Sequence, residues 1–286
     1  MISNKVSEIM TTHLITAPAA ATIFDVMQAM VTEDVGRIVI TDDEVPVGIF
    51  TEKDILRRVI GGNVDTKKSD IKSVMTAPVQ AVDEETHIVD AFARMYQGNY
   101  RHLLVRGRRG KIIGIVSMRR ILNLAVELGQ VLSETRALSD IAVGPMVSAE
   151  ATSTIFATVE LMNRRNIGAV IVTDAGKPVG IFTERDVLKR CAAVALDLSA
   201  TAIKQVMTAP LVTMPATQLV GDVLAEMYRR DIRNMAVTNA AGAVTGIIAM
   251  PEILQYARAF NIDEQVRRSW REVARELASE DQYTPG

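Results

Sequence analysis

The chain has 286 residues, with 32 Lys plus Arg against 34 Asp plus Glu and a formal net charge of −2, so it has no overall field to hold a polyanion and nucleic acid is not expected as a partner. The length exceeds what one core usually serves, its single cysteine (Cys191) rules out an intramolecular disulfide and fits a reducing cytoplasm, and the composition of 48% hydrophobic but only 4% aromatic residues predicts an aliphatic core. No apolar h-region opens the sequence and no uncharged run reaches the roughly 18 residues of a spanning helix, so neither a signal peptide nor a membrane partner is expected, and the expected localisation is cytoplasmic.

In chain order, Val6 to Met10 is a short apolar-spaced segment, and Leu14-Ile15-Thr16 reads as a strand ended by Ala17-Pro18. Ile23, Val26, Met27 and Met30 recur at helical spacing from Thr22, a plausible N-cap, to about Glu33. Arg37 to Ile40 is a strand, Thr41 to Pro46 a turn, and Val47 to Phe50 a second strand that closes a hairpin. Thr51 then opens a helix over Lys53 to Ile60. The unit is β-α-β-β-α, with one sheet face for two helices to cover.

That unit recurs. Gly48-Ile49-Phe50-Thr51, Gly114-Ile115-Val116-Ser117, Gly180-Ile181-Phe182-Thr183 and Gly246-Ile247-Ile248-Ala249 are spaced 66 residues apart, which marks a repeated supersecondary unit. A longer repeat of 132 residues lies above it: VGIFTEKDILRR from Val47 returns as VGIFTERDVLKR from Val179, and MTAP from Met75 returns from Met207. A two-copy module has therefore been duplicated whole. The expected division is 1–61, 68–127, 136–193 and 200–257 for copies one to four, with a helical tail over 258–286 that contains Trp270. A polar, glycine-bearing link from Gly61 to Asp70 separates copies one and two, whereas 119–137 could run as nearly continuous helix between the modules. The tail is read either as a helix covering the protein's own core or as a partner-binding helix anchored by Trp270.

Thr51-x-x-Asp54 and Thr183-x-x-Asp186 stand where a strand turns into a helix. One reading is a capping box, in which the acid satisfies a free backbone N–H. The other is a nucleotide site, since a helix N-terminus favours phosphate and a carboxylate one turn in can accept ribose hydroxyls. The motif alternates: copy two has Ser117-Met118-Arg119-Arg120 and copy four has Ala249-Met250-Pro251-Glu252. Arg101 and His102 open a strand of copy two and Arg233 the equivalent strand of copy four, where sheets packed about a two-fold axis would bring them to the neighbour's Thr/Asp end; Arg119 points to the same cleft. Each arginine taken singly also fits a solvated surface charge. The three histidines, His13, His87 and His102, carry no ligand spacing, so no metal site is expected.

The period, the element order, the Gly-Ile-Phe-Thr-Glu-Lys/Arg-Asp motif and the VMTAP openings resemble cystathionine β-synthase (CBS) domains over about residues 3 to 257. The resemblance implies an α/β (α+β) fold of four β-α-β-β-α repeats, paired into two Bateman modules that assemble into a disc, as in the gamma subunit of AMP-activated protein kinase. It implies phosphate contact at Thr51 and Thr183, ribose contact at Asp54 and Asp186, and basic phosphate contacts at Arg101, His102 and Arg119, with Arg233 the counterpart in copy four. The adenine would lie against Ile15, Thr16, Ile49 and Phe50, or Val147, Ser148, Ile181 and Phe182. Arg120 replaces the ribose aspartate in copy two and Ala249 lacks the hydroxyl in copy four, so two occupied sites are expected rather than four. Pro251 stands where Arg119 stands, so the second site should favour fewer phosphates.

The function this implies is a non-enzymatic sensor of AMP, ADP or ATP, with Mg accompanying ATP, no catalytic cofactor, and a regulated protein as reader; a homodimer is compatible with it. Its rivals are an architectural module with an unused cleft and a sensor of S-adenosylmethionine or a dinucleotide. An enzyme is disfavoured by the lack of a placed general base. The sensor reading requires an open crevice at Asp54 and Asp186; carboxylates turned onto their own backbone in a filled crevice would leave only the architectural role.

Overall fold

The computed structural model describes residues 4–98, 100–127, 137–140, 143–250 and 252–253. The expected tail with Trp270, the link 128–136 and Pro251 lie outside these residues. Copy one comprises α1 (Val6–Ile9), β1 (Thr16–Pro18), α2 (Ile23–Thr32), β2 (Arg37–Asp42), β3 (Val45–Thr51) and α3 (Glu52–Asp54). Copy two has β4 (Ala81–Asp83), α4 (Ile88–Gln97), β5 (His102–Arg106), β6 (Ile112–Ser117) and α5 (Met118–Glu127). Copy three has β7 (Gly144–Pro145), β8 (Ser148–Glu150), α6 (Ile155–Arg165), β9 (Ala169–Asp174), β10 (Lys177–Thr183) and α7 (Glu184–Asp186). Copy four has β11 (Thr213–Pro215), α8 (Val220–Arg229), β12 (Asn234–Thr238) and β13 (Val244–Ala249).

The parallel pairs β1–β2, β4–β5, β8–β9 and β11–β12 each span a helix, and β2–β3, β5–β6, β9–β10 and β12–β13 are antiparallel hairpins. The opening strand of copy one begins at Thr16 and includes Pro18, later than the expected Leu14 start, because as an edge strand it tolerates a proline without a donor. Thr22 caps α2 by accepting from the Asp25 N–H at 3.2 Å, and Thr154 does the same for α6 from Ala157 at 3.2 Å. The helix expected over Lys53 to Ile60 is not uniform. After α3 it widens to π-type bonding across Ile55–Ile60, and copy three repeats this over Val187–Ala192. The wide turn buries Ile55, Leu56, Val59 and Ile60 together and presents the Leu56 carbonyl to Asn163 Nδ2 of copy three at 2.8 Å.

Among the described residues, three apolar clusters join the copies. Val39, Leu104 and Ile115 join the sheets of copies one and two. Helical faces of copies one and three share one core, including Ile23, Met27, Leu56, Ile155, Val159 and Leu188, while those of copies two and four share another, including Val89, Met95, Val223 and Met227. Among the described residues, copies one and four, and likewise two and three, meet across the centre through ion pairs.

Each sequence repeat also lends its leading segment to its partner's sheet. Thr76 of copy two bridges Ile49, Thr208 of copy four bridges Ile181, and Thr11 bridges Ile115, while β7 is added to the copy four sheet beside β13. This exchange explains the periodic glycines. A Cβ on Gly48 would lie 2.3 Å from Met75 Sδ, on Gly114 2.7 Å from Met10 Sδ, on Gly180 2.7 Å from the Thr208 carbonyl, and on Gly246 2.3 Å from the Gly144 carbonyl. The 66-residue signal is the footprint of a partner's leading segment, side chain or backbone, crossing the strand.

Candidate functional site

The helix starts α3 and α7 open onto one cavity of about 730 Å3 that draws its walls from all four copies. That volume lies within the roughly 300–1,000 Å3 of small-molecule sites. Asp54 and Asp186 are 7% and 6% exposed. Asp54 Oδ2 accepts from the Thr51 N–H at 2.9 Å and from its hydroxyl at 2.7 Å, and Oδ1 accepts from the Thr76 hydroxyl at 3.0 Å. Asp186 repeats the arrangement with Thr183 at 2.9 and 2.7 Å and Thr208 at 3.1 Å. Arg58 and Arg190 lie 3.5 and 3.3 Å from Asp54 Oδ1 and Asp186 Oδ1. Burial pushes the Asp186 carboxyl above the usual range, and its bonds to Thr183, the Arg190 charge and the Thr208 bond oppose the shift.

Both carboxylates are thus turned onto their own helix start, as a capping box requires, while the crevice beside them stays open. A carboxylate offers about four acceptor positions, so three bonds leave Asp54 one for a ligand donor, fewer than a clasp on both ribose hydroxyls would use. Each threonine hydroxyl donates to its aspartate, so phosphate contact at Thr51 or Thr183 would require that proton to turn away. Alternation of the motif does not exclude capping. In copy two the Ser117 hydroxyl accepts from Arg120 N at 3.1 Å, and in copy four Glu252 accepts from Ala249 N at 2.8 Å, so each retains half of the box. What distinguishes copies one and three is the second threonine, Thr76 or Thr208, fixing the other carboxylate oxygen.

Among the expected site residues, the cavity brings together Ile49, Thr51, Asp54, Arg101, His102, Arg119, Ile181, Thr183, Asp186 and Arg233. Ile15, Thr16, Val147 and Ser148 are not in its wall, and the Phe50 and Phe182 side chains are fully buried in the core, so those two can offer a ligand only backbone. Strand alternation accounts for this: Ile49 and Ile181 point to the cavity, and the phenylalanines that follow point to the opposite face. The arginines depart from the expected geometry. Arg101 donates to Glu184 Oε2 at 2.9 Å and Arg233 to Glu52 Oε2 at 2.5 Å, each across the centre into the other module rather than to the Thr/Asp end of its own partner copy. Arg119 pairs with Asp231, which also accepts from Arg185 at 2.8 Å, and Lys189 pairs with Asp34.

The cations are therefore pooled, contrary to the expectation of two separately charged sites. Ten Lys or Arg side chains line the cavity against six Asp or Glu. Burial first, then Arg233 and Arg185, lowers the Arg119 guanidinium to about 10. Burial and the Arg233 charge lower Arg37 and Arg185 as well, and Lys53 is lowered by burial, Arg57 and Arg101. Burial, then Arg37, Arg101 and Arg233, pushes His102 well below its ordinary 6.5, which makes it a neutral imidazole at pH 7. Burial is the largest cause in each case and neighbouring cations add to it, so an anion placed among them would relieve part of the cost of keeping these groups charged. Sequence reasoning missed Arg37, Glu52, Thr76, Glu184, Arg185 and Thr208. Four of these, Glu52, Thr76, Glu184 and Thr208, lie inside the repeated VGIFTE and MTAP strings, which mark them as shared by the two modules but not what they touch.

The CBS domain family model matches residues 6–61, 71–127, 138–193 and 203–259. The CBS domain-containing protein CBSCBSPB1 of Arabidopsis thaliana is 26% identical over 284 residues, covering 86% of this chain and 52% of that protein, so the chain spans about half the length of this relative. An uncharacterized 17.7 kDa protein of Acidianus ambivalens is 34% identical over 119 residues, covering 41% of this chain and 71% of that one. Among solved structures, protein MJ1225 from Methanocaldococcus jannaschii, a candidate archaeal homologue of g-AMPK, superposes with a TM-score of 0.72 at 16% identity, covering 88% of this chain and 99% of that one. An uncharacterized conserved protein from Pyrococcus horikoshii gives 0.57 at 19% identity, with 88% and 99% covered. At these identities the likeness shows the fold.

Proposed function

The chain belongs to the CBS domain family, and from that premise we propose that it is a non-enzymatic sensor of adenine nucleotides, AMP, ADP or ATP, that passes their state to another protein. The observation that carries this reading is the open cavity in which two Thr/Asp helix starts meet cations drawn from both modules. Asp54 and Asp186 offer a remaining acceptor to ribose, Ile49 and Ile181 offer apolar surface to the base, and Arg37, Arg101, Arg119, Arg185 and Arg233 receive phosphates. Charge-assisted hydrogen bonds contribute roughly 1.5–3 kcal/mol each, so two phosphate contacts suffice to rank nucleotides by phosphate number. Because Arg101 and Arg233 already link the modules, a phosphate that engages them acts on the module–module contact, and ligand changes that arrangement only through unequal affinity for its alternatives.

Thermal unfolding in graded nucleotide tests the proposal. A ligand that binds only the native chain stabilises it by RT ln(1 + [L]/Kd), about 2.7 kcal/mol at one hundred times Kd. A midpoint that rises with AMP, ADP or ATP supports the sensor. A midpoint that stays fixed at millimolar levels of all three favours the architectural alternative, and a rise with S-adenosylmethionine alone favours that ligand.

A further inference from the structure

The structure assigns Glu52 and Glu184 the role of internal anions: each holds, at Arg233 or Arg101 across the centre, the place that a ligand phosphate takes, so that phosphate binding exchanges these two diagonal ion pairs for protein–ligand pairs. The inference deepens the nucleotide reading and rests on it only for the identity of the phosphate's carrier.

Strand register makes the design visible. Arg37 pairs with Thr51, His102 with Ser117, Ala169 with Thr183 and Asn234 with Ala249. The residue before each of these strands is therefore equivalent in the four copies, as is the residue after each hairpin. Copies one and three have Gly36 with Glu52 and Gly168 with Glu184; copies two and four have Arg101 with Met118 and Arg233 with Met250. Glycine leaves room for the glutamate, since a Cβ on Gly36 would sit 2.9 Å from Glu52 Oε1 and one on Gly168 3.1 Å from Glu184 Oε1. The odd copies thus supply a seated carboxylate and the even copies the arginine that meets it, at 2.5 Å for Glu52 with Arg233 and 2.9 Å for Glu184 with Arg101.

These carboxylates are poor clamps and good placeholders. A buried ion pair adds little net stability after desolvation, and Glu52 and Glu184 are only 3% and 8% exposed. One carboxylate also leaves the cluster undersatisfied: Arg233 Nε is buried with no hydrogen-bond partner among the described residues, and Arg37, Arg119 and Arg185 are lowered first by burial and then by the Arg233 charge. A terminal phosphate, with a charge near −1.5 to −2 and three strong acceptor oxygens, satisfies more of these donors than one carboxylate does.

The test uses the full chain with inorganic tripolyphosphate, which lacks the nucleoside, and with adenosine, which lacks phosphate. In titration calorimetry the double variant E52Q/E184Q is expected to bind tripolyphosphate about tenfold more tightly than the native chain, the equivalent of one charge-assisted contact no longer contested, with adenosine unchanged; adding Arg233→Gln to E52Q should remove the gain. A simple clamp predicts a lower melting temperature with no gain in tripolyphosphate affinity, and that result, or the absence of binding by native and variant alike, overturns the inference. If E52Q does not fold, E184Q alone reads the same competition at the half-exposed Arg101. Failure of native chain to bind any adenine compound alongside a tripolyphosphate gain in the variant would sink the nucleotide reading and leave this one standing; normal nucleotide binding without the gain would do the reverse.

Discussion

Replacing the periodic glycines one at a time by alanine separates the exchanged-leader architecture from a simple string of repeats. At Gly48 the three nearest atoms to a new Cβ all belong to the Met75 side chain, at 2.3 to 3.0 Å, and a thioether on three rotatable bonds can swing aside. At Gly246 the nearest atom is the backbone carbonyl of Gly144 at 2.3 Å, followed by Val143 Cγ1 at 2.7 Å, so β7 itself must move and its pairing with Gly246 and Ile247 is put at risk. Overpacking costs about 1–3 kcal/mol and each lost backbone bond about 1 kcal/mol. The expected costs are therefore about 1 kcal/mol for G48A and about 3 kcal/mol or more for G246A, with G180A between them because the Thr208 carbonyl lies at 2.7 Å. Urea unfolding followed by circular dichroism, with unchanged slopes, measures the differences. Equal costs, or G246A milder than G48A, would refute the claim that Gly246 makes room for a partner's backbone where Gly48 makes room only for a flexible side chain.

Three further outcomes follow from the site. His102 is held neutral by burial and the arginines around it, and an anion beside it restores part of its basicity; calorimetry in buffers of different ionisation enthalpy should show proton uptake on nucleotide binding that grows as pH falls from 7.5 to 6, and no uptake at any pH in that range contradicts the placement. Asp186 has a raised folded-state pKa, so the stability it contributes is complete below 3.8 and is lost as pH rises through the folded value; the destabilisation caused by Asp186→Asn should therefore shrink between pH 3.5 and 6, and a cost that grows over that window contradicts the sign. Burial raises the Cys191 thiol to about 12, and the side chain is fully buried; it should react with a disulfide reagent at pH 8 only at the rate of unfolding, whereas immediate reaction of native chain would show that the copy one and copy three core opens freely.

Much of the fold was legible because it is written in local periodicity. Thr22 and Thr154 announce their helices, the hairpins follow from alternation and turn residues, and the 66-residue glycine spacing fixes four copies. The reason for the glycine was not legible, since Met75 and Gly144 act from other repeats. The widening after Asp54 was hidden because Ile55, Leu56, Val59 and Ile60 satisfy an ordinary helical period equally well. At the site, Thr51, Asp54, Thr183 and Asp186 could be located but not their orientation: a capping box and a ribose clasp use the same residues at the same spacing, and only the hydroxyls of Thr76 and Thr208, donated from the following copy, show how the carboxylates are turned. The arginines were legible as candidates but not in their partners. Glu52 and Glu184 look like solvated helix-start charges until the two modules are set face to face.

Titration calorimetry of ATP into the full chain, with the D54A/D186A double variant beside it, addresses the central claim most directly. The account predicts saturable binding near two ATP per native chain, weakening with added salt as phosphate contacts to arginine should, and at least a tenfold loss in a variant that remains folded by circular dichroism. Full affinity in the folded double variant would show that the cavity at the two helix starts is not where the nucleotide sits.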